Sequence, residues 1–233
     1  LPPRMTTSQR EQISNPAVGS IIYNTTTNCL ETKTSSGWIA IRTIDYPSVL
    51  IGAQYWMEKN LDVTTYNNGD VIPYVPDATA WGNLTSGAWC YYNNDPSSGY
   101  GKLYNWYAAA DVRGLCPAGW HVPTDAEWAA LETSLGGASI AGGKLKVAGV
   151  SRWASPNIGA TNSSYFSALP GGLRQSSGTT FGSLGNVGYW WSATQSGVSV
   201  TSGWSRSLYF DAADISGNEY SKKSGFSVRC LRD

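Results

Sequence analysis

Charge is scarce in this chain. Asp, Glu, Lys and Arg make up 14% of its 233 residues, against about a quarter in an ordinary soluble domain. The 16 basic and 16 acidic residues cancel, so there is no basic stripe of the kind that nucleic-acid binding requires. Long apolar runs are also missing. None approaches the roughly 20 residues of a membrane-spanning helix, and no amphipathic basic helix offers surface anchoring, so membrane insertion is not expected. There is one histidine, His121, and the four cysteines, Cys29, Cys90, Cys116 and Cys230, show no C-x-x-C spacing. That leaves no zinc pattern, and any Ser-His-Asp or Cys-His arrangement would have to use His121. The opening LPPRMTT has neither an initiating Met nor a signal-like segment, which reads as a processed form or a fragment.

In place of charge stand Gly, Ser, Asn and Thr, with 11 Trp and 14 Tyr, and 41% of the residues are hydrophobic. This mixture favours short strands and ordered loops over helices. Widely spaced cysteines in such a weakly charged, Trp-rich chain point to an extracellular protein with disulfides.

The chain divides by character near residue 46. In residues 1–45, Ser8 with Glu11 matches a capping box and Pro16 ends a short helix. SIIYNTTTNCLETKTSSGWIAI then gives two β-rich runs, with turns around Asn24 to Asn28 and Ser35 to Gly37. This unit resembles the helix-plus-hairpin leaders that precede terminal domains of bacterial surface and phage tail-fibre proteins. A segment this short has no core of its own.

Residues 46–233 read as an α+β domain. GKLYNWYAAADV (101–112) carries apolar residues at helical spacing. PTDAEWAALETSLGG (123–137) is the strongest helix, with a Thr124–Glu127 capping box and a Gly136–Gly137 stop. AGGKLKVAG is too short and glycine-flanked to extend the helical content. The terminal GFSVRCLRD alternates Phe226, Val228 and Cys230 with more polar residues, the period of a half-buried strand. Trp56, Trp106, Trp120 and Trp128 are expected core residues.

IGAQYWMEKNLDVTTYNNGD, YGKLYNWYAA, GLCPAGWHVPTDAEWAAL, FSALPGGLR, YWWSAT and GFSVRCLRD follow one another in fixed order. Together they resemble the Fibrobacter succinogenes major paralogous domain, a family similar to the C-type lectin-like fold in its formylglycine-generating-enzyme variant. The resemblance implies paired terminal strands, two flanking helices and a long loop-rich insertion that carries function. It also implies a Cys116–Cys230 disulfide, which by loop entropy would contribute roughly 4–5 kcal/mol. Cys29 could pair with Cys90 or face another chain.

The resemblance does not bring catalysis with it. Formylglycine-generating enzymes use cysteines in the late loop region, and this chain has none between Cys116 and Cys230. His121, at a strand end leading into a helix, is expected to be buried and structural. Asp125 and Glu127 suit the first turn of a helix. A convergence of Asp125 with Glu127, or of Asp211 with Asp214, is the arrangement a hydrolase would need. Calcium-dependent sugar-binding lectins often carry an EPN or QPD tripeptide plus a WND, whereas this chain has Ser155-Pro156-Asn157 and no WND. No cofactor is expected. Asn93, Asn94 and Asp95, or Asp211, Asp214, Asn218 and Glu219, are oxygen-rich enough for calcium, but such residues are commonly turn formers.

The remaining signal is aromatic. Adjacent aromatics at Trp89, Tyr91 and Tyr92, and at Tyr189, Trp190 and Trp191, would place one member of a pair outward on a strand. Residues 189–221 interleave aromatics with Ser, Asp and Asn, the vocabulary of antibody paratopes. The expected function is therefore non-catalytic recognition of a protein or glycan on a cell surface. Its ligand-binding residues would be Tyr189, Trp191, Trp204, Tyr209, Asp211, Asp214, Asn218 and Tyr220. One alternative is a structural subunit of a fibre or appendage that self-associates when SIIYNTTTNCL adds a strand to a neighbour. A further one is a receptor-binding protein diversified by a retroelement within 189–221.

Overall fold

The computed structural model describes residues 2–27, 29–41 and 46–233, with backbone only at 40 and 41. The expected turn residue Asn28 and the last leader residues, 42–45, lie outside the described residues. The chain forms two compact units, Leu1–Asp45 and Tyr46–Asp233.

The N-terminal unit is a four-stranded sheet with one short helix. Strands β1 (Arg4–Met5), β2 (Ile21–Asn24), β3 (Cys29–Thr34) and β4 (Gly37–Ile41) lie side by side in that order. Helix α1 (Thr7–Glu11) starts two residues earlier than the sequence suggests. Its capping box is Thr6 with Gln9 rather than Ser8 with Glu11, because Thr6 is the last extended residue and its side chain accepts from Gln9 N. The helix covers one face of the sheet through polar contacts. Arg10 pairs with Glu31 at 2.6 Å, and Asn24 bonds both Glu31 and Thr7 at 2.9 Å. Among the described residues of this unit, Ile22 is the one buried apolar side chain. On the opposite face Ile21, Thr32 and Ile39 stand in register, with Ile21 46% and Ile39 51% exposed.

The large domain adds four helices and four small sheets. Strands β5 (Ser48–Ile51) and β6 (Gln54–Met57) form a hairpin, followed by α2 (Ala78–Gly82). A two-stranded ribbon of β7 (Trp89–Cys90) and β8 (Leu103–Tyr104) leads into α3 (Trp106–Ala109). This helix is shorter than the 101–112 periodicity suggests. Leu103 and Tyr104 are drawn into the ribbon, and the Asn105 side chain caps the helix by accepting from Ala108 N.

After β9 (Trp120–His121) comes α4 (Asp125–Ser134), where both halves of the Thr124–Glu127 capping box are made. Trp128, Leu131 and Leu135 pack inward from it. Helix α5 (Ala138–Leu145) follows directly, in a stretch where the sequence offered no helix. Its glycines are required by approach rather than by flexibility. A Cβ on Gly142 would lie 2.0 Å from the Asp214 carbonyl oxygen, and one on Gly143 would lie 2.4 Å from that of Gly159.

Strands β10 (Leu173–Arg174) and β11 (Phe181–Gly182) make a small hairpin, and β12 (Val187–Gln195), β13 (Ser202–Tyr209) and β14 (Ser216–Ser221) form an antiparallel meander. The segment expected to be a loop-rich recognition region is thus mostly regular sheet. The chain closes with β15 (Leu231–Arg232), which lies inside the β5–β6–β15–β9 sheet. Leu231 pairs with both Trp56 and His121. Upstream of it, residues 225–227 run extended but touch a different strand at each step, with bridges from Gly225 to Arg174, Phe226 to Tyr104 and Ser227 to Trp190. Phe226, Val228 and Cys230 are fully buried. The Cys116–Cys230 disulfide is present and encloses 114 residues of sequence separation.

Three of the four expected core tryptophans, Trp56, Trp106 and Trp128, are buried, whereas Trp120 is only half-buried, edge-on to Tyr46 at 6.2 Å. Cys29 and Cys90 are free thiols. Cys90 is buried, and that burial pushes its pKa up to about 11.

Candidate functional site

The β12–β14 meander has two faces, defined by its register. Val187, Tyr189 and Trp191 lie opposite Tyr209, Ser207 and Ser205, which in turn carry Ser216 and Asn218 alongside. Tyr220, opposite Gly203, shares that face. Trp190, Trp204 and Arg206 point the other way. Of the eight expected ligand-binding residues, Tyr189, Trp191, Tyr209, Asn218 and Tyr220 share this face.

Two of the eight are corrected outright. Tyr189 is 6% and Trp191 0% exposed. Both stack on Phe226, at 4.9 and 4.3 Å, and Trp191 Nε1 donates to the Tyr104 carbonyl. The alternation rule fails here because β12 is covered on both sides. Tyr189 and Trp191 enter one core cluster, and Trp190 enters a second with Trp56 and Trp128. Eight of the 11 tryptophans are buried in this way.

What remains accessible is a rim of tyrosines. Tyr220 bonds both Tyr189 and Tyr209, and Tyr189 reaches Ser183. Burial raises the pKa of Tyr189 and of Tyr220, and the neighbouring phenols add to the effect. These hydroxyls are therefore neutral donors and acceptors throughout the physiological range. Asn218 Nδ2 donates to Ser207 Oγ at 3.4 Å.

Trp204, half-buried, sits on the opposite face. Its neighbour Arg206 is gripped by Asp125 at 2.5 Å and by Glu132 at 2.6 Å. Asp211 and Asp214 lie in the β13–β14 turn, close to Lys146. That lysine is fully buried and donates to the carbonyls of Ile158, Tyr209 and Ala212 at 2.7–2.9 Å. Burial pulls its ammonium down to about 8, against the opposing pull of Asp211 and Asp214.

Residues 49–232 match the family model described as Fibrobacter succinogenes major domain, and residues 1–52 match one described as phage tail like trimerisation region. The chain belongs to the Fibrobacter succinogenes major domain family. No curated protein and no solved structure matches it.

Within this Fibrobacter succinogenes major domain, the groups that might have signalled catalysis or metal binding are engaged elsewhere. Asp125 holds Arg206. His121 is half-exposed rather than buried, since it stands at the sheet edge with Nδ1 2.7 Å from Asp233 Oδ1 and Nε2 3.0 Å from Glu127 Oε1. Burial alone would lower its pKa, but the two carboxylates outweigh this and raise it. Glu127 is also held by burial, which would raise its pKa, yet its bonds to Thr124 and His121 lower it. Asp95 Oδ1 accepts from Ser97 N and Oγ, so the YYNNDPSSG loop is a pair of tight turns with Asn93 and Asn94 at positive φ. Asn157 of the Ser-Pro-Asn tripeptide is buried, and its amide donates to the carbonyls of Val147 and Gly149. No group of three or more metal-ligating side chains occurs among the described residues.

A concavity of about 450 Å³ lies away from the meander, lined among others by Glu58, Lys59, Asn60, Asp62, Tyr100 and Arg229. No sequence signal pointed to it. Its lining comes from five separate stretches that only the closed fold brings together.

Proposed function

We propose that this chain is a subunit of an extracellular or virion appendage. In this reading the N-terminal unit assembles copies into a trimer, and the large domain is the non-catalytic module that each copy displays. The pairing of a phage tail like trimerisation region with a Fibrobacter succinogenes major domain carries the reading. The physical state of the N-terminal unit supports it. One face of the sheet is closed by α1, while Ile21 and Ile39 leave an apolar stripe on the other. A unit with a single buried apolar side chain among its described residues gains most by burying that stripe against other copies. Association through the sheet face replaces the strand addition expected from SIIYNTTTNCL. That segment begins with β2, an inner strand between β1 and β3.

Light scattering of the full chain tests this directly. A mass of three chains is expected, falling to one in Ile21→Glu/Ile39→Glu with the large domain still folded. A wild-type chain that stays monomeric at all concentrations overturns the reading.

For the displayed domain we infer recognition of a protein or glycan on a cell surface, on a rigid C-type lectin-like scaffold. The accessible aromatic and polar groups at Tyr209, Asn218 and Tyr220 favour it. A wholly structural role is the competing reading, and the trimerisation match favours it equally. Binding of the full chain to intact bacterial cells separates the two. Recognition requires saturable binding, whereas a structural subunit shows none.

A further inference from the structure

The 450 Å³ concavity has an immobile floor and an unengaged rim. Asn60 forms the floor. Its Oδ1 accepts from Trp190 Nε1 at 2.9 Å and from Arg229 Nη2 at 2.9 Å, while its Nδ2 donates to the Tyr100 carbonyl at 2.9 Å and to Ser227 Oγ at 3.2 Å. Arg229 is fully buried beneath it, stacked 4.2 Å from the Phe166 ring and donating to the carbonyls of Met57 and Phe166. Neither side chain can swing away without breaking several bonds in the core.

The rim is different. The Glu58 carboxylate, the Lys59 ammonium and the Tyr100 hydroxyl make no hydrogen bond to any described residue, while Asp62 is committed to Lys102 at 2.5 Å. Arg152 lies over the Tyr100 ring at 5.6 Å. Free polar groups of this kind, held on a rigid floor in a cavity of ligand size, are what a preformed small-molecule site presents.

The chemistry narrows the class of ligand. Two cationic and two anionic side chains line the cavity, so it has no net charge to select a phosphate or nucleotide. Its walls mix polar groups with Val147 and Leu169, which does not suit an acyl chain. A donor, an acceptor and a phenol that does both, set around a part-apolar wall, match the vicinal hydroxyls and C–H faces of a sugar ring. We infer that this cavity binds a saccharide residue, with Glu58, Lys59 and Tyr100 contacting its hydroxyl groups. The inference rests on the reading of the large domain as a recognition module and relocates its contact from the meander to the cavity.

The test uses the full chain and two readouts, a panel of neutral and acidic bacterial and host oligosaccharides and adhesion to intact cells. Lys59→Ala and Tyr100→Phe should each weaken saccharide binding by about tenfold or more, with unchanged melting temperature, whereas Val198→Ala, at an exposed turn outside the cavity lining, leaves it intact. Saccharide binding that survives the cavity variants and is lost in Tyr209→Ala overturns the cavity and keeps the recognition reading. So does cell adhesion without affinity for any saccharide on the panel. Loss of both, with neither saccharides nor cells bound by the wild-type chain, overturns the recognition reading as well.

Discussion

At the centre of the N-terminal sheet sit Asn24 and Glu31, bonded to each other and to α1, whereas the central strands of the large domain bury Trp56, Trp190 and Trp191. The first unit uses hydrogen bonds to fix one face and leaves Ile21 and Ile39 exposed on the other. The second uses both faces of β12 for two separate clusters. Polar networks specify geometry but add little net stability, and apolar burial supplies the rest. The large domain therefore has the means to fold alone, while the N-terminal unit, in the reading proposed above, gains its stability by packing against copies of itself.

Breaking the large domain should leave that organisation untouched. Removing the disulfide with Cys230→Ser is expected to cost about 4 kcal/mol by loop entropy, seen as a large fall in melting temperature with the oligomeric mass unchanged. Lys146→Met strips three carbonyls of their donor and should cost about 3 kcal/mol in denaturant titrations.

A finer comparison uses the same motif in both units. Thr124→Ala and Thr6→Ala each remove a capping box, at about 1 kcal/mol. The first should appear as a concentration-independent loss of stability. The second should appear as weaker association, sharpest on dilution. Equal concentration independence in both would remove the distinction between the units.

The smallest effect is expected at the sheet edge. His121 is raised above its ordinary 6.5, so its ion pairs contribute fully below that value and fade as pH rises through the higher folded value. Glu127, lowered from 4.5, contributes above that value and loses its contribution as pH falls through the lower folded one. His121→Gln should therefore destabilise the domain more at about pH 5.5 than at about pH 8.5, by less than about 1 kcal/mol because the pair is half-exposed.

Local signals in the sequence were reliable where chemistry is local. The Thr124–Glu127 box and its helix are legible because every partner lies within four residues. Helix α5 is not, because Gly142 and Gly143 lower helix propensity for a reason visible only when Asp214 and Gly159 approach them. Adjacent aromatics at 189–191 suggested that one of each pair faces outward, but the sequence could not say that both faces of β12 are covered, and so Tyr189 and Trp191 read as surface anchors. The Cys116–Cys230 bridge came through family resemblance, since spacing alone left the pairing open. The cavity was invisible for a similar reason. Arg229 looks like a strand-face charge in GFSVRCLRD, and only the fold turns it inward beneath Asn60.

Arg229 belongs with Lys146 and Arg174. Arg174 donates to the carbonyls of Val75, Pro76 and Gly178 between the rings of Trp81 and Phe181. Each of the three is a buried cation that donates to main-chain oxygens in loops or at strand ends, a role that loop-rich domains elsewhere give to a bound calcium ion. Here the cation is carried on the chain itself. The order of these loops should then be indifferent to chelators and to swings in ambient divalent metal, as long as the pH stays low enough to keep the Lys146 ammonium protonated.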